Sequence, residues 1–287
     1  MAYARRARAS PIDCRSVQYP RREACALDTQ IASRASGGAG TGRVDFTGDG
    51  AILPQKNDLK PWQKREWCTP EVSGDFVAAM EDVLDLYDAP YDAQRPVTCF
   101  DETPRQLIDD ARPAQPMQPG QPAREDTEYV RCGVADIMLF CEPATGRREA
   151  WVTERRTKAD FARAMERLVE TYPHAEVIRV VMDNLNTHKP GSLYDTFPPE
   201  KANALLKKLE FHYTPKHGSW LNMAEIEFAA LSRQCLDRRT SDITTLARLV
   251  NAWKDARNQC GTPIRWQFTS RHARETMARC YPSQSTG

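Results

Sequence analysis

Three acidic residues stand where a carboxylate is costly and therefore informative. Asp101 closes the apolar run Val97-Thr98-Cys99-Phe100, and Asp183 closes Val177-Ile178-Arg179-Val180-Val181-Met182. Glu225 lies in Ser219-Trp220-Leu221-Asn222-Met223-Ala224-Glu225-Ile226, at the start of a predicted helix. Short apolar runs of this kind read as buried strands, and an acid at the end of each puts charge at the rim of a core. Two carboxylates at strand ends and a third on a following helix supply hard oxygen donors for a pair of Mg²⁺ ions, which lie about 3.5–4 Å apart in such sites. Such a pair can drive in-line attack on a phosphodiester. No covalent enzyme intermediate is required.

Two of the three acids have close rivals. Glu102 follows Asp101 directly and, on a strand, points to the opposite face. Glu227 lies two residues past Glu225, about 200° around a helix, so only one of them can face the ions. The stripe Leu221, Ala224, Phe228, Leu231 and Cys235 faces the core, and both glutamates flank it, so periodicity leaves the choice open.

Other polar residues cluster near these acids in the chain. His188 is a candidate to orient a metal-bound water or touch a phosphate, although a lone histidine is more often structural. Asn184 and Asn186 can order the turn after the second acid. Lys216 and His217 fall between the last predicted strand and the acid-bearing helix, where a phosphate contact is expected. Arg233, Arg238 and Arg239 are candidate contacts to a phosphate backbone, against the plainer reading of a solvated helix end. His212 and His217 make no zinc site, because no cysteine pair accompanies them at ligand spacing.

Alternating strands and helices must position these residues. Gly74 to Tyr87 reads as an amphipathic helix with Phe76, Met80, Val83, Leu84 and Tyr87 on one face. Val97–Phe100 is a first strand, followed by a stretch in which Pro113, Pro116, Pro119 and Pro122 favour a stiff, extended segment. Tyr129 to Phe140 and Arg148 to Val152 read as strands joined by a hairpin through Pro143-Ala144-Thr145-Gly146. Thr157 and Asp160 form a capping box that opens a helix to Tyr172. Val177–Met182 is a central strand buried on both faces. Pro199 to Leu209 is a helix, Phe211–Thr214 a strand, and Asn222 to Leu236 and Thr244 to Cys260 two further helices. This order predicts an α/β fold, a mixed sheet flanked by helices, in which the strand of Asp101 lies beside the strand of Asp183.

The 287 residues suffice for one large domain and a smaller appendage. The net charge of +1 hides an asymmetry: residues 201–287 carry 14 Lys/Arg against 7 Asp/Glu, whereas residues 1–200 carry 26 against 32. A basic margin beside an acidic centre suits a protein that binds metal with its carboxylates and phosphates around them. The nine cysteines include no CxxC, and those in the central region sit within apolar runs as small core residues. A basic start without an apolar segment behind it, and no stretch of membrane-spanning length, predict a reducing cytoplasm.

The motifs Phe100-Asp101-Glu102, Met182-Asp183-Asn184-Leu185-Asn186-Thr187-His188 and His212-Tyr213-Thr214-Pro215-Lys216-His217-Gly218-Ser219-Trp220-Leu221-Asn222-Met223-Ala224-Glu225 resemble, in order, those of the DDE transposases of bacterial insertion sequences. The branch they resemble is the one related to the mariner transposases. The resemblance covers about residues 51–260. It implies an RNase H-like fold with Asp101, Asp183 and Glu225 as the catalytic and metal-binding acids, its Trp-Leu-Asn-x-x-Glu motif choosing Glu225 over Glu227. It implies two Mg²⁺ ions, for which Mn²⁺ can substitute, and cut-and-paste movement of DNA from inverted-repeat ends into a TA-containing target. A homodimer acting in the cytoplasm at the nucleoid is implied as well.

The expected organisation is an irregular or disordered arm over 1–50, a linker and helix over 51–95 that form the remnant edge of an N-terminal DNA-binding region, the RNase H-like DDE catalytic domain over 96–260 and a basic tail over 261–287. The arm departs from the family. It lacks the paired amphipathic helices of the helix-turn-helix units that read terminal repeats, and its Gly38-Ala39-Gly40-Thr41-Gly42-Arg43 lacks the ending of a phosphate loop. A truncated or frameshifted copy, or an unusual arm, accounts for this. Two other readings keep the fold: a catalytically silent or repurposed DNA-binding remnant, and another RNase H-like nuclease.

Overall fold

The computed structural model describes residues 73–278 and 281, apart from 114, 123 and 125. The arm expected over 1–50, and the part of the following linker up to residue 72, lie outside the described residues. The first described element is α1, Gly74–Asp88, whose N-cap Ser73 accepts a hydrogen bond from the Phe76 N–H. There follow β1 (Val97–Asp110), β2 (Tyr129–Glu142), β3 (Arg147–Thr153), α2 (Lys158–Thr171), β4 (Ile178–Met182), α3 (Gly191–Thr196), α4 (Pro199–Leu206) and β5 (Leu209–Tyr213). A 3₁₀ turn at Ser219–Leu221 leads into α5 (Ala224–Gln234), α6 (Ile243–Cys260) and α7 (Ser270–Thr276).

The five strands form one sheet in the order β3-β2-β1-β4-β5. β1, β2 and β3 are antiparallel neighbours, and β4 and β5 run parallel to β1. The α/β reading therefore holds, as an RNase H-like mixed sheet with helices on both faces. Alternation along each strand divides the core. Cys99, Leu139 and Val181 face Met80 and Leu84 of α1, Leu231 of α5 and Val250 and Trp253 of α6. Phe100, Phe140, Val180 and Met182 face Phe161, Met165 and Leu168 of α2 and Leu193 of α3. The apolar run of β4 is thus buried on both sides, as its sequence requires.

Neither α3 nor α7 is among the helices expected from the sequence, and three other stretches depart from that expectation. β1 does not stop at Phe100 but continues through Pro104 to Asp110. Beyond Cys99 it pairs only with β2, so it has become an edge strand, where a proline without an N–H is tolerated. The proline-rich stretch is extended as expected, but it folds on itself: Gln118 and Gln121 exchange backbone hydrogen bonds across Pro119-Gly120, and Gly120 supplies the positive φ of 79°. Residues 261–278 are not a free basic tail. Trp266 packs on Tyr87 at 5.4 Å between ring centroids, Ser270 Oγ donates to Asp85 at 2.5 Å, and Arg274 grips Glu81 with two bonds of 2.8 and 2.7 Å. Arg274 of this segment is thus drawn back onto the acidic face of α1. Among the described residues no helix is long and apolar enough to cross a membrane.

Candidate active site

The parallel pairing of β1 with β4 sets Val97 opposite Arg179, Thr98 opposite Val180 and Cys99 opposite Val181. Continued two residues along the same register, it brings Asp101 level with Asp183. Cys99 and Val181 face the α1 and α5 side of the sheet, and by alternation Asp101 faces that side too. The third acid arrives through Asn222. Its side chain, 1% exposed, donates to Phe100 O at 2.9 Å and Asp101 Oδ2 at 3.2 Å, while its Oδ1 accepts from the Ala224 N–H at 3.1 Å. One amide thereby ties the end of β1 to the first turn of α5, which carries Glu225. Tyr87 of α1 donates to Leu221 O at 2.8 Å and fixes the preceding 3₁₀ turn from below.

The resulting electrostatics are strained. Burial pushes the Asp101 carboxyl up, the Glu102 N–H that donates to its Oδ1 at 2.8 Å works against this, and the nearby charges of Glu225, Glu102 and Asp183 raise it further, to about 7. A buried carboxylate raised by like-charged neighbours is what a divalent cation relieves. A donor set made of carboxylate oxygens suits Mg²⁺ or Mn²⁺. Among the described residues no three His, Cys, Asp or Glu side chains stand close enough to chelate an ion as they are posed, so the acids are neighbours rather than a closed cage. In chemistry the residues fit the metal.

Glu225 and Glu227, which periodicity could not separate, lie in different environments. Glu225 is exposed in the first turn of α5. Glu227 is 0% exposed and enclosed by two guanidinium groups. Arg148 Nε lies 2.6 Å from Oε2 and its Nη2 donates to Oε1 at 2.8 Å, while Arg257 Nη2 donates to both oxygens at 2.9 and 3.1 Å. Burial alone would raise the Glu227 carboxyl, but the two arginines hold it below the usual glutamate range. Its lone pairs are taken.

Glu102 and His188 occupy the opposite side of the strand end. Glu102 lies on the face of Phe100 and Met138, as alternation requires. His188 is 1% exposed, not open to solvent or DNA. Its Nδ1 donates to Asp183 Oδ1 at 2.6 Å, and its Nε2 lies 3.1 Å from Glu102 Oε2, close enough for charge contact though not aligned as a hydrogen bond. Burial lowers the imidazole, but the two carboxylates override it and carry it up to about 9. The structure thus corrects the expected DNA contact at His188 to an internal one. Asn184 is likewise engaged, its amide oxygen accepting from Lys189 Nζ.

The remaining cations divide. Lys216 and His217 are exposed in the loop between β5 and the 3₁₀ turn, and His217 has a positive φ of 65°. Neither has an ion-pair partner among the described residues. Arg233 and Arg238 are exposed at and beyond the end of α5. Arg239 is spent internally: it pairs with Asp110 at 2.7 Å and donates to the carbonyls of Glu128 at 3.1 Å and Asp126 at 2.5 Å, bracing the base of the β1–β2 hairpin. That bracing corrects the backbone contact expected of it. Sequence reasoning passed over Asn222 as a positioning residue and dismissed Glu102 as a mere rival. Asn222 stood within the longest motif, three residues before Glu225, and that fixed spacing was the available signal. The internal partner of His188 was signalled only by its five-residue distance from Asp183.

Residues 96–247 match the sequence profile of the DDE superfamily endonucleases. No curated protein matches the chain in sequence. Among solved structures, the Mos1 mariner paired end complex with Mn superposes with a TM-score of 0.51 at 14% identity, over 89% of this chain and 70% of that one. The Mos1 strand transfer complex gives a TM-score of 0.52 at 13% identity, over 90% and 70%. At such identities these likenesses speak for the fold.

Proposed function

The chain belongs to the DDE superfamily of endonucleases, and from that premise we propose that it is a transposase that cuts DNA strands at inverted-repeat ends and joins them to a target. The observation that carries this is the meeting of Asp101, Asp183 and Glu225 at one end of the sheet, with the competing Glu227 neutralised by arginines. Asp101, Asp183 and Glu225 would hold two divalent ions, Mg²⁺ or Mn²⁺. When bound, the ions supply Lewis-acid activation of the attacking oxygen and stabilisation of the leaving one. The chain's own part is to bring three carboxylates to the same end of the sheet. Asn222 fixes Asp101 against the Glu225 turn, and the parallel register fixes Asp101 against Asp183. Lys216 and His217, exposed on the loop leading to Glu225, would contact the phosphates flanking the cut, with Arg233 and Arg238 farther along the backbone.

The Mos1 structures are a paired-end complex and a strand transfer complex. Assembly of this chain as a dimer on two DNA ends, with cut-and-paste movement into a TA-containing target, is proposed by that likeness, as is its place among the mariner-related transposases of bacterial insertion sequences.

The test is nicking of duplex DNA that carries the inverted repeats flanking the gene. Cleavage at the repeat ends with Mg²⁺, lost on chelation and in Asp183→Asn while DNA binding persists, is the expected result. Cutting governed by DNA structure rather than by the repeats would favour another RNase H-like nuclease, and no cutting by the folded protein a silent remnant.

A further inference from the structure

The Asp183 carboxylate does not hang freely from the end of β4. One oxygen is engaged by His188 Nδ1 at 2.6 Å, and the side chain retains partial exposure of 35%. His188 is itself immobilised from every side. Phe161 lies against its ring at 4.9 Å between centroids and Phe100 meets it edge-on at 5.5 Å. Tyr213 of β5 donates to its carbonyl at 2.8 Å, and Glu102 stands 3.1 Å behind Nε2 on the far side of β1. A polar ring this deeply buried, with carboxylates at both nitrogens, is not needed to fill the core, which an apolar residue would do at lower cost. What it does is direct: it takes up one oxygen of Asp183, and the other carries no hydrogen bond from the ring.

We propose that His188, backed by Glu102, is a positioning residue that presets the Asp183 carboxylate for divalent metal, acting through Asp183 and touching neither metal nor DNA. This rests on the proposed metal-binding role of the three acids. Partners that orient a metal ligand are typically worth 10–100-fold in metal affinity. The placement makes the two ring nitrogens unequal, because only Nδ1 reaches Asp183, and amide side chains can separate them. Asparagine at this position sets its amide nitrogen near the place of Nδ1, and glutamine sets its own near Nε2.

The experiment is calorimetric titration of the full chain with Mn²⁺ alone, without DNA, for the wild type, His188→Asn and His188→Gln, with circular dichroism to establish folding. Binding by the Asn variant within about threefold of wild type, and a loss of about tenfold or more in the Gln variant, is expected. A residue that merely filled space would give the opposite order, since glutamine is the closer match in volume. Equal affinities for the two folded variants, with the wild type binding Mn²⁺, would overturn the positioning role and leave the metal site standing. If the Gln variant does not fold, the Asn variant decides: near-wild-type binding supports the role, and a tenfold loss overturns it. A folded wild type that binds no Mn²⁺ would overturn both this role and the metal site beneath it.

Discussion

Glu225 and Glu227 lie in the first turn of one helix, two residues apart, and the fold uses them in opposite ways. Glu227 points into the protein, where Arg148 of β3 and Arg257 of α6 each meet its carboxylate. Glu225 lies exposed near the end of β1, where Asp101, Glu102 and Asp183 gather more negative charge than the one internal cation, His188, balances. The first cluster is a closed account of charge that ties three elements together. The second is open, with a surplus that only something from outside can balance. Stability is concentrated in the one and function in the other.

The contrast is most sharply broken by truncation. Glu227→Ala leaves two guanidinium groups at a buried site without their anion, and loss of one partner from such a cluster costs about 3–5 kcal/mol. Glu225→Ala, at an exposed helix end, should shift stability by no more than about 0.5 kcal/mol. Urea unfolding of the two variants measures both, and equal effects would erase the distinction.

Divalent metal should act on the open cluster alone. An ion that binds only the folded chain stabilises it by about 2.7 kcal/mol at a hundredfold excess over its Kd. Mn²⁺ should therefore raise the melting temperature of the wild type, chelation should reverse the rise, and Asp183→Asn should show little of it.

The two clusters also respond to pH with opposite sign. Asp101 titrates at about 7 in the folded chain, against about 3.9 unfolded. Between these values the folded state binds the extra proton, so metal-free stability falls as pH rises from about 4 to 7. Glu227, held low by its arginines, contributes stability that is present above the unfolded value of about 4.3 and lost as pH falls through its folded value. Melting curves for wild type and Asp101→Asn across pH 4–8 should converge at the acid end and separate toward neutrality, with the variant the more stable.

Cations repeat the pattern on a smaller scale. Lys216 is exposed and without an ion-pair partner among the described residues, whereas Arg239 is bonded to one carboxylate and two carbonyls. Lys216→Ala should weaken DNA binding and reduce the slope of its salt dependence by about one. Arg239→Ala should instead lower stability by about 1–2 kcal/mol and leave that slope unchanged. Fluorescence anisotropy at several salt concentrations separates the two.

Much of this arrangement was legible in the chain. The apolar run ending in Asp183 could only be a central strand, and the Thr157–Asp160 capping box opened α2 where expected, with both of its hydrogen bonds present. The parallel neighbours β1 and β4 followed from element order, and with them the meeting of Asp101 and Asp183. The Glu225–Glu227 choice was not legible from periodicity, because both flank the apolar stripe. It turns on Arg148 and Arg257, which are 79 and 30 residues away from Glu227. The fates of His188 and Arg239 were hidden for the same reason: a polar residue looks available until the fold supplies its partner. The strand expected over Val97–Phe100 ended with its apolar run, whereas β1 continues through Pro104 as an edge strand, where a residue without an N–H is tolerated. The docking of residues 261–278 depends on acids of α1, nearly two hundred residues earlier.

The most direct test of the open cluster is Mg²⁺-dependent nicking by Glu225→Gln, which removes one charge and almost no volume. With folding and DNA binding at wild-type levels, cleavage should fall by about a hundredfold to a thousandfold, the scale on which one preorganised electrostatic contact is lost. Cleavage at the wild-type rate would contradict the assignment of Glu225 as the third acid.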